Sequence, residues 1–154
     1  MHQAIIIGAG PAGMSAAIYS IRKGLTTLVI GKEVGGQIAE SGEISNYPGI
    51  GESTGADLSV TFHKHVESFK NIEHKHGIEV TGIEKMKDGF EVVAGEERFQ
   101  GETVIIAAGR SPRHLNIPGE AEFTNKGVSY CDVCDGPLFK GKDIAIIGGG
   151  NTAM

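Results

Sequence analysis

The sequence predicts an α/β fold on three observations. An apolar run ends in a glycine cluster and gives way to helical periodicity, a second run of the same kind closes the chain, and short alternating segments lie between the two. The first run, Ala4, Ile5, Ile6 and Ile7, reads as a strand. It enters Gly8-Ala9-Gly10-Pro11-Ala12-Gly13, beyond which Met14, Ala17, Ile18 and Ile21 recur at helical spacing. Pro11 suits the first helical position, where a helix leaves the N–H unbonded, and Gly24 supplies the stop before a second strand over residues 25–30. The three glycines then have separate tasks. Gly8 makes the turn, Gly10 lets the backbone approach a pyrophosphate, and Gly13 lets the helix pack closely on the strand. The phosphate charge rests on the helix N-terminus, so this G-x-G-x-x-G, set between strand and helix, predicts a dinucleotide site. The ribose-binding acid expected about 20 residues further on has one candidate, Glu33, which follows Ile30 across Gly31 and Lys32.

Two loops come next, Val34-Gly35-Gly36-Gln37 and Asn46-Tyr47-Pro48-Gly49, both rich in groups able to place backbone or side-chain amides on a ligand. A second helix is predicted over residues 53–70, with Leu58, Phe62, Val66 and Phe69 on one face. Segments 78–81, 90–93 and 97–100, separated by Asp88-Gly89 and by Ala94-Gly95-Glu96, read as a small antiparallel meander. Residues 103–107 follow as a buried strand that ends at Ala108-Gly109. Near the end, Cys131-Asp132-Val133-Cys134-Asp135 sets two sulfurs at a spacing that closes a small disulfide ring, with Asp135 beside them as a proton carrier for a departing thiolate. A zinc ion on this pair would need two more ligands, and the sequence offers no further cysteine and no H-x₃₋₅-H pattern. Residues 144–147 then form a predicted strand into Gly148-Gly149-Gly150-Asn151-Thr152-Ala153, the G-x-G-x-x-A form of the same phosphate-binding turn. Its helix would lie past Met154, so the sequence is expected to be the front part of a longer chain.

Composition narrows the function classes. The 154 residues suffice for one ordinary domain, and 40% hydrophobic with 21% charged residues is the make-up of a globular protein. A formal charge of -5 opposes binding to nucleic acid or to anionic membrane. No apolar run approaches the roughly 18 residues of a membrane span, and the start has no basic segment of a signal peptide, so a cytoplasmic location is expected. In that reducing compartment a pair of close cysteines is catalytic or metal-binding rather than a structural staple. No metal site is expected elsewhere. His63 and His65 diverge on a helix, and His74 and His76 have no cysteine or carboxylate at ligand spacing, which leaves solvated histidines.

The order of these motifs resembles the low-molecular-weight thioredoxin reductases of bacteria, including the related flavoprotein part of alkyl hydroperoxide reductase, over essentially all of the chain. The resemblance implies a Rossmann-like, three-layer ββα domain that binds FAD, followed by the start of a second domain that binds NADPH. Residues 1–112 would be the FAD-binding part and 113–154 the start of the NAD(P)H-binding part, with Pro112 and Pro118 flanking a hinge. Gly8, Gly10, Pro11, Ala12 and Gly13 would hold the FAD pyrophosphate. Gly31, Lys32, Glu33, Gly36, Gln37 and Asn46 would line its adenosine and isoalloxazine parts, Val80 would lie against the adenine, and Ala108 and Gly109 would close the site. In Ala107-Ala108-Gly109 this chain has Ala where many relatives have Thr before the Gly, which removes a hydroxyl. Gly148, Gly150, Asn151, Thr152 and Ala153 would meet the NADPH pyrophosphate. Cys134 would be the thiol nearest the flavin, Cys131 the thiol that exchanges with a partner disulfide, and Asp135 the general acid. The implied function is a thioredoxin-disulfide reductase, passing electrons from NADPH to FAD to the dithiol to thioredoxin or a similar small protein, as a homodimer. Two other readings share the visible pattern: an FAD-binding module without turnover, and a dithiol oxidase or a reductase fed by ferredoxin or reduced flavin.

Overall fold

The computed structural model describes residues 1–154 apart from Asn125, Asn151, Thr152 and Met154, and describes Val133 and Cys134 by their backbone only. It divides into two compact units, Met1–Arg110 and Ser111–Met154.

In the first unit β1 (His2–Ala9), helix α1 (Pro11–Arg22) and β2 (Thr27–Val34) follow in order. After a 3₁₀ turn over Gly36–Glu40 come the two-residue strands β3 (Glu43–Ile44) and β4 (Ser53–Thr54), then α2 (Gly55–Glu67), β5 (Ile72–His76), β6 (Val80–Met86), β7 (Gly89–Ala94) and β8 (Glu97–Ile106). One sheet carries six of these strands in the order β5-β2-β1-β8-β7-β6, the first four parallel and the last three antiparallel. The layers follow from alternation along the strands. Ile5, Ile7, Leu28 and Ile30 face Val92 and Ala94 of the meander, while Ile6, Ala9 and Val29 face Met14 and Ala17 of α1 and Val66 of α2. The run of isoleucines in β1 is thus buried on both faces, as a central parallel strand requires. Each such side chain contributes about 1.5–3 kcal/mol of burial.

Helix borders obey local chemistry. Pro11 occupies the first position of α1, and the chain leaves through Lys23 and Gly24, whose N–H donates to the Ile21 carbonyl at 2.8 Å. Thr54 caps α2 by accepting the Asp57 N–H at 3.1 Å, so the helix spans less than the predicted residues 53–70 and Phe69 lies outside it.

Three expectations change. The last segment of the meander and the strand at 103–107 are one continuous element, because β8 pairs with β7 up to Gly101 and with β1 from Gly101 onward. Beyond Gly101 it has lost β7 as a neighbour, and the predicted burial gives way to exposure of 38% at Ile105 and 70% at Ile106. The polar segment Ile72-Glu-His-Lys-His, not predicted as a strand, pairs with β2 as β5. Residues 144–147 form no strand: no described strand pairs with them, and Ile144, Ile146 and Ile147 are 64%, 62% and 68% exposed.

The second unit holds two short helices, α3 (Glu120–Phe123) and α4 (Asp132–Asp135), with a 3₁₀ turn over Gly136–Phe139. Its organising residue is Glu120, only 7% exposed. Its carboxylate accepts the N–H groups of Leu115 at 2.9 Å, Asn116 at 2.6 Å and Ile117 at 3.4 Å, and the Tyr130 hydroxyl at 2.6 Å. These donors, Tyr130 first, hold the carboxyl at about 2, below its ordinary 4.5. A depressed acid stabilises the fold fully above 4.5 and withdraws that stabilisation as pH falls toward 2. The Asn116 amide proton is therefore expected to titrate with a midpoint near 2 in an NMR pH series, and Glu120→Gln to remove the titration. A midpoint near 4.5 would contradict this network.

Candidate functional site

The glycines of the first fingerprint, with Gly31, Gly36 and the Ala107 end of β8, converge at the carboxyl ends of β1 and β2, where the strand order turns from β2 on one side of β1 to β8 on the other. Parallel sheets bind ligands at such a crevice. Gly8 has φ +113°, and a Cβ there would strike the Ala107 carbonyl oxygen, so only glycine lets this turn pass under residues 107–109. The Ala107 N–H donates to the Ile7 carbonyl at 2.8 Å, placing Ala108 and Gly109 beside it. At Gly13 a Cβ would overlap the Gly8 carbonyl oxygen, which shows how closely helix and turn pack. The Gly35 N–H donates to the Ala9 carbonyl at 2.8 Å, and the Gly35 oxygen and Gly36 Cα lie 3.6 and 3.8 Å from where a Gly10 Cβ would stand. Gly31 lies against Ala9.

Helix α1 starts at this point with Gly10 as its cap and no side chain bonded to its first N–H groups; Ala12 is exposed. That leaves backbone donors and the positive end of the helix dipole open to an anion. Tyr47 and Phe62 share a cleft with Pro11, Ser15 and Ile18, with the two rings 5.4 Å apart, so the loop carrying Asn46 borders the same turn. Glu33 and Gln37 are exposed, Val80 is half-buried against the Leu28 and Ile30 cluster, and Lys32 pairs with Glu79 at 3.8 Å.

In the second unit Gly148 has φ +116°, close to the +113° of Gly8, and the Ala153 N–H donates to the Gly150 carbonyl at 2.9 Å. The two G-x-G turns begin alike. Asn151 and Thr152 lie outside the described residues, as does the Cys134 side chain. Cys131 is half-buried and disulfide-bonded. The Asp135 N–H donates to the Cys131 carbonyl at 3.1 Å, which puts the two residues in one turn.

Ser129, absent from the sequence-based candidates, ties this turn together. Its hydroxyl donates to Asp135 Oδ2 at 2.5 Å and accepts the Cys131 N–H at 3.1 Å. Tyr130 adjoins it, anchored to Glu120 and 2.9 Å from His114 Nδ1. A serine two residues before a cysteine is the available signal, but only the fold brings Asp135 back to it. The expectation of separately solvated histidines also fails: His63, His74 and His76 are half-buried and touch one another.

A family model described as pyridine nucleotide-disulphide oxidoreductase matches residues 2–154, and the chain belongs to that family. It is 42% identical over 154 residues to the alkyl hydroperoxide reductase F subunit of Staphylococcus aureus, covering 99% of this chain and 30% of the relative. Thioredoxin reductase from Streptococcus pyogenes superposes with a TM-score of 0.86 at 40% identity, over 99% of this chain and 50% of that one. Thioredoxin reductase from Giardia duodenalis gives 0.85 at 32% identity, over 99% of this chain and 50% of that one. The chain thus spans half the length of these thioredoxin reductases and less of the alkyl hydroperoxide reductase relative. FAD and NADPH are the cofactors of thioredoxin reductase homologues in this family. The open helix N-terminus, and the glycines whose Cβ positions are already filled by backbone, fit the pyrophosphate of such a nucleotide.

Proposed function

We propose that this chain carries the FAD cradle and the redox-active disulfide of an NADPH-dependent reductase acting on thioredoxin or a similar small protein. The observation that carries the reading is the pairing of an uncapped helix N-terminus behind Gly8, Gly10 and Gly13 with a disulfide-bonded Cys131 whose turn holds Asp135. Residues 1–112 form the FAD-binding part and 113–154 the start of the NAD(P)H-binding part, with Gly148, Gly150, Asn151, Thr152 and Ala153 for its pyrophosphate. Backbone N–H groups at Ala12 and Gly13 hold the FAD pyrophosphate, with Pro11 fixing the helix start. Gly31, Lys32, Glu33, Gly36, Gln37 and Asn46 border adenosine and isoalloxazine, Val80 the adenine, and Ala108 and Gly109 the floor.

When bound, FAD supplies the two-electron chemistry that links a nicotinamide hydride to a disulfide. The chain's own sulfurs do the rest. The bond between Cys131 and Cys134 accepts two electrons and opens, and the Asp135 carboxyl gives its proton to the departing thiolate. The Cys131 thiolate then attacks the partner's disulfide, and Cys134 displaces the reduced partner and restores the intramolecular bond. The enzyme would act as a homodimer in the reducing cytoplasm, away from membrane and nucleic acid.

In the protein expressed from its complete reading frame, Asp135→Asn is expected to slow disulfide reduction by about 10²–10⁴-fold with FAD still bound. Ser129→Ala, which removes the hydroxyl that donates to Asp135 Oδ2, is expected to slow the same step. Rates equal to wild type in Asp135→Asn, measured by stopped-flow absorbance of the flavin, would remove Asp135 from the mechanism.

A further inference from the structure

The face of β5 turned toward the helices should continue the apolar layer that Ile72 begins. Register makes this plain: Ile72, His74 and His76 sit opposite Thr27, Val29 and Gly31 of β2, and Val29 belongs to the cluster under α1 and α2. Where two more apolar residues would fit, the chain has two histidines. Across from them α2 presents His63, three residues before the buried Val66.

The three rings close on one point. His63 Nε2 and His76 Nε2 are 2.9 Å apart, the ring centroids are separated by 4.9 to 5.2 Å, and one nitrogen from each ring lies within 4.8 Å of the other two. His63 Nδ1 faces Glu67 Oε2 at 3.3 Å, one turn along the helix. Both nitrogens of His74 and Nδ1 of His76 are buried with no hydrogen-bond partner among the described residues. Buried polar atoms normally have a partner. Three imidazoles and one outer carboxylate that fixes a ring by its Nδ1–H are the ligand set of a zinc centre completed by water. Tetrahedral Zn–N bonds of about 2.0–2.1 Å put the nitrogens about 3.4 Å apart, inside the range these rings span.

We propose that His63, His74 and His76 bind a divalent cation of the Zn²⁺ class, with Glu67 orienting His63 and water in the fourth position. Burial, followed by the neighbouring rings, keeps His74 below its ordinary 6.5, and burial together with His63 does the same for His76, so both offer a lone pair at neutral pH. The cation would clasp the edge strand β5 to α2, beside the carboxyl end of β2, where His76 pairs with Gly31. The site is independent of the redox reading, since none of its residues takes part in that chemistry.

The test uses tag-free protein from the complete reading frame, stripped of metal and kept with its disulfide oxidised so that thiols do not compete. Zn²⁺ is titrated against a chromophoric chelator, and Co²⁺ replaces it for spectroscopy. The expected result is one equivalent of Zn²⁺, intense four-coordinate Co²⁺ bands, and a thermal midpoint that rises with Zn²⁺ concentration. His74→Gln should weaken binding by about a hundredfold or more and Glu67→Gln by about 10–100-fold, while His65→Gln, on the same helix but outside the cluster, should bind as wild type. Glu67→Gln keeps all three ligands, and circular dichroism confirms its fold, so it decides the matter even if His74→Gln does not fold. Failure of the wild type to bind an equivalent of Zn²⁺, or affinity unchanged in Glu67→Gln, would overturn the proposal.

Discussion

Replacing Cys131 with serine is expected to stop reduction of a thioredoxin-like disulfide altogether while leaving FAD bound and reducible by NADPH. Thiol–disulfide exchange passes through a mixed disulfide that only a sulfur nucleophile can form, and a hydroxyl near neutral pH does not replace a thiolate. The loss is confined to one step. Ser129, Asp135 and Cys131 form a local turn within the unit Ser111–Met154, whereas Gly8, Gly10 and Gly13 belong to Met1–Arg110. Flavin content and NADPH-driven bleaching should therefore match wild type when measured by absorbance. Turnover of the disulfide substrate at the wild-type rate would show that the electrons leave by another route.

The second large effect is expected at Gly13. Its added Cβ would overlap the Gly8 carbonyl oxygen and stand 3.5 Å from Ile6 Cγ2, so both neighbours are fixed, one as backbone and one as core. Gly13→Val must push α1 off β1, at an overpacking cost of about 1–3 kcal/mol. The displaced helix end carries the N–H groups proposed to hold pyrophosphate. FAD affinity is thus expected to fall by about 5–150-fold, read by fluorescence titration of the stripped protein. By contrast Gly24, with nothing near its missing Cβ, should tolerate asparagine with little change in FAD affinity, because that residue adopts its φ of +81° more readily than most. Equal FAD affinity in Gly13→Val and wild type would separate the close packing from the binding.

What the sequence made legible was local. Pro11 and Gly24 act within a turn of themselves, and the G-x-G-x-x-G between strand and helix needs no distant partner to be recognised. The illegible parts depend on neighbours far along the chain. Ile72 to His76 is too polar to read as a strand, yet it becomes β5 because β2 offers it an open edge. Residues 144–147 show the converse: their apolar, branched composition favours a strand, but composition forms no ladder without a second strand to pair with. Gly101, where β8 exchanges β7 for β1, hides in a segment whose two halves look like separate strands. The same division applies to the site. The fingerprint and the Cys-x-x-Cys were visible as motifs, whereas Ser129 meets Asp135 only when the turn between them folds, and His63 meets His74 and His76 only once helix and strand are assembled.

The most direct test of the account is an anaerobic reductive titration of the protein from its complete reading frame. With FAD and the Cys131 disulfide both accepting an electron pair, wild type is expected to consume about two equivalents of NADPH per chain and Cys131→Ser about one. Equal consumption by the two proteins, or a wild type that holds no flavin, would contradict the transfer of electrons from the bound nucleotide into that disulfide.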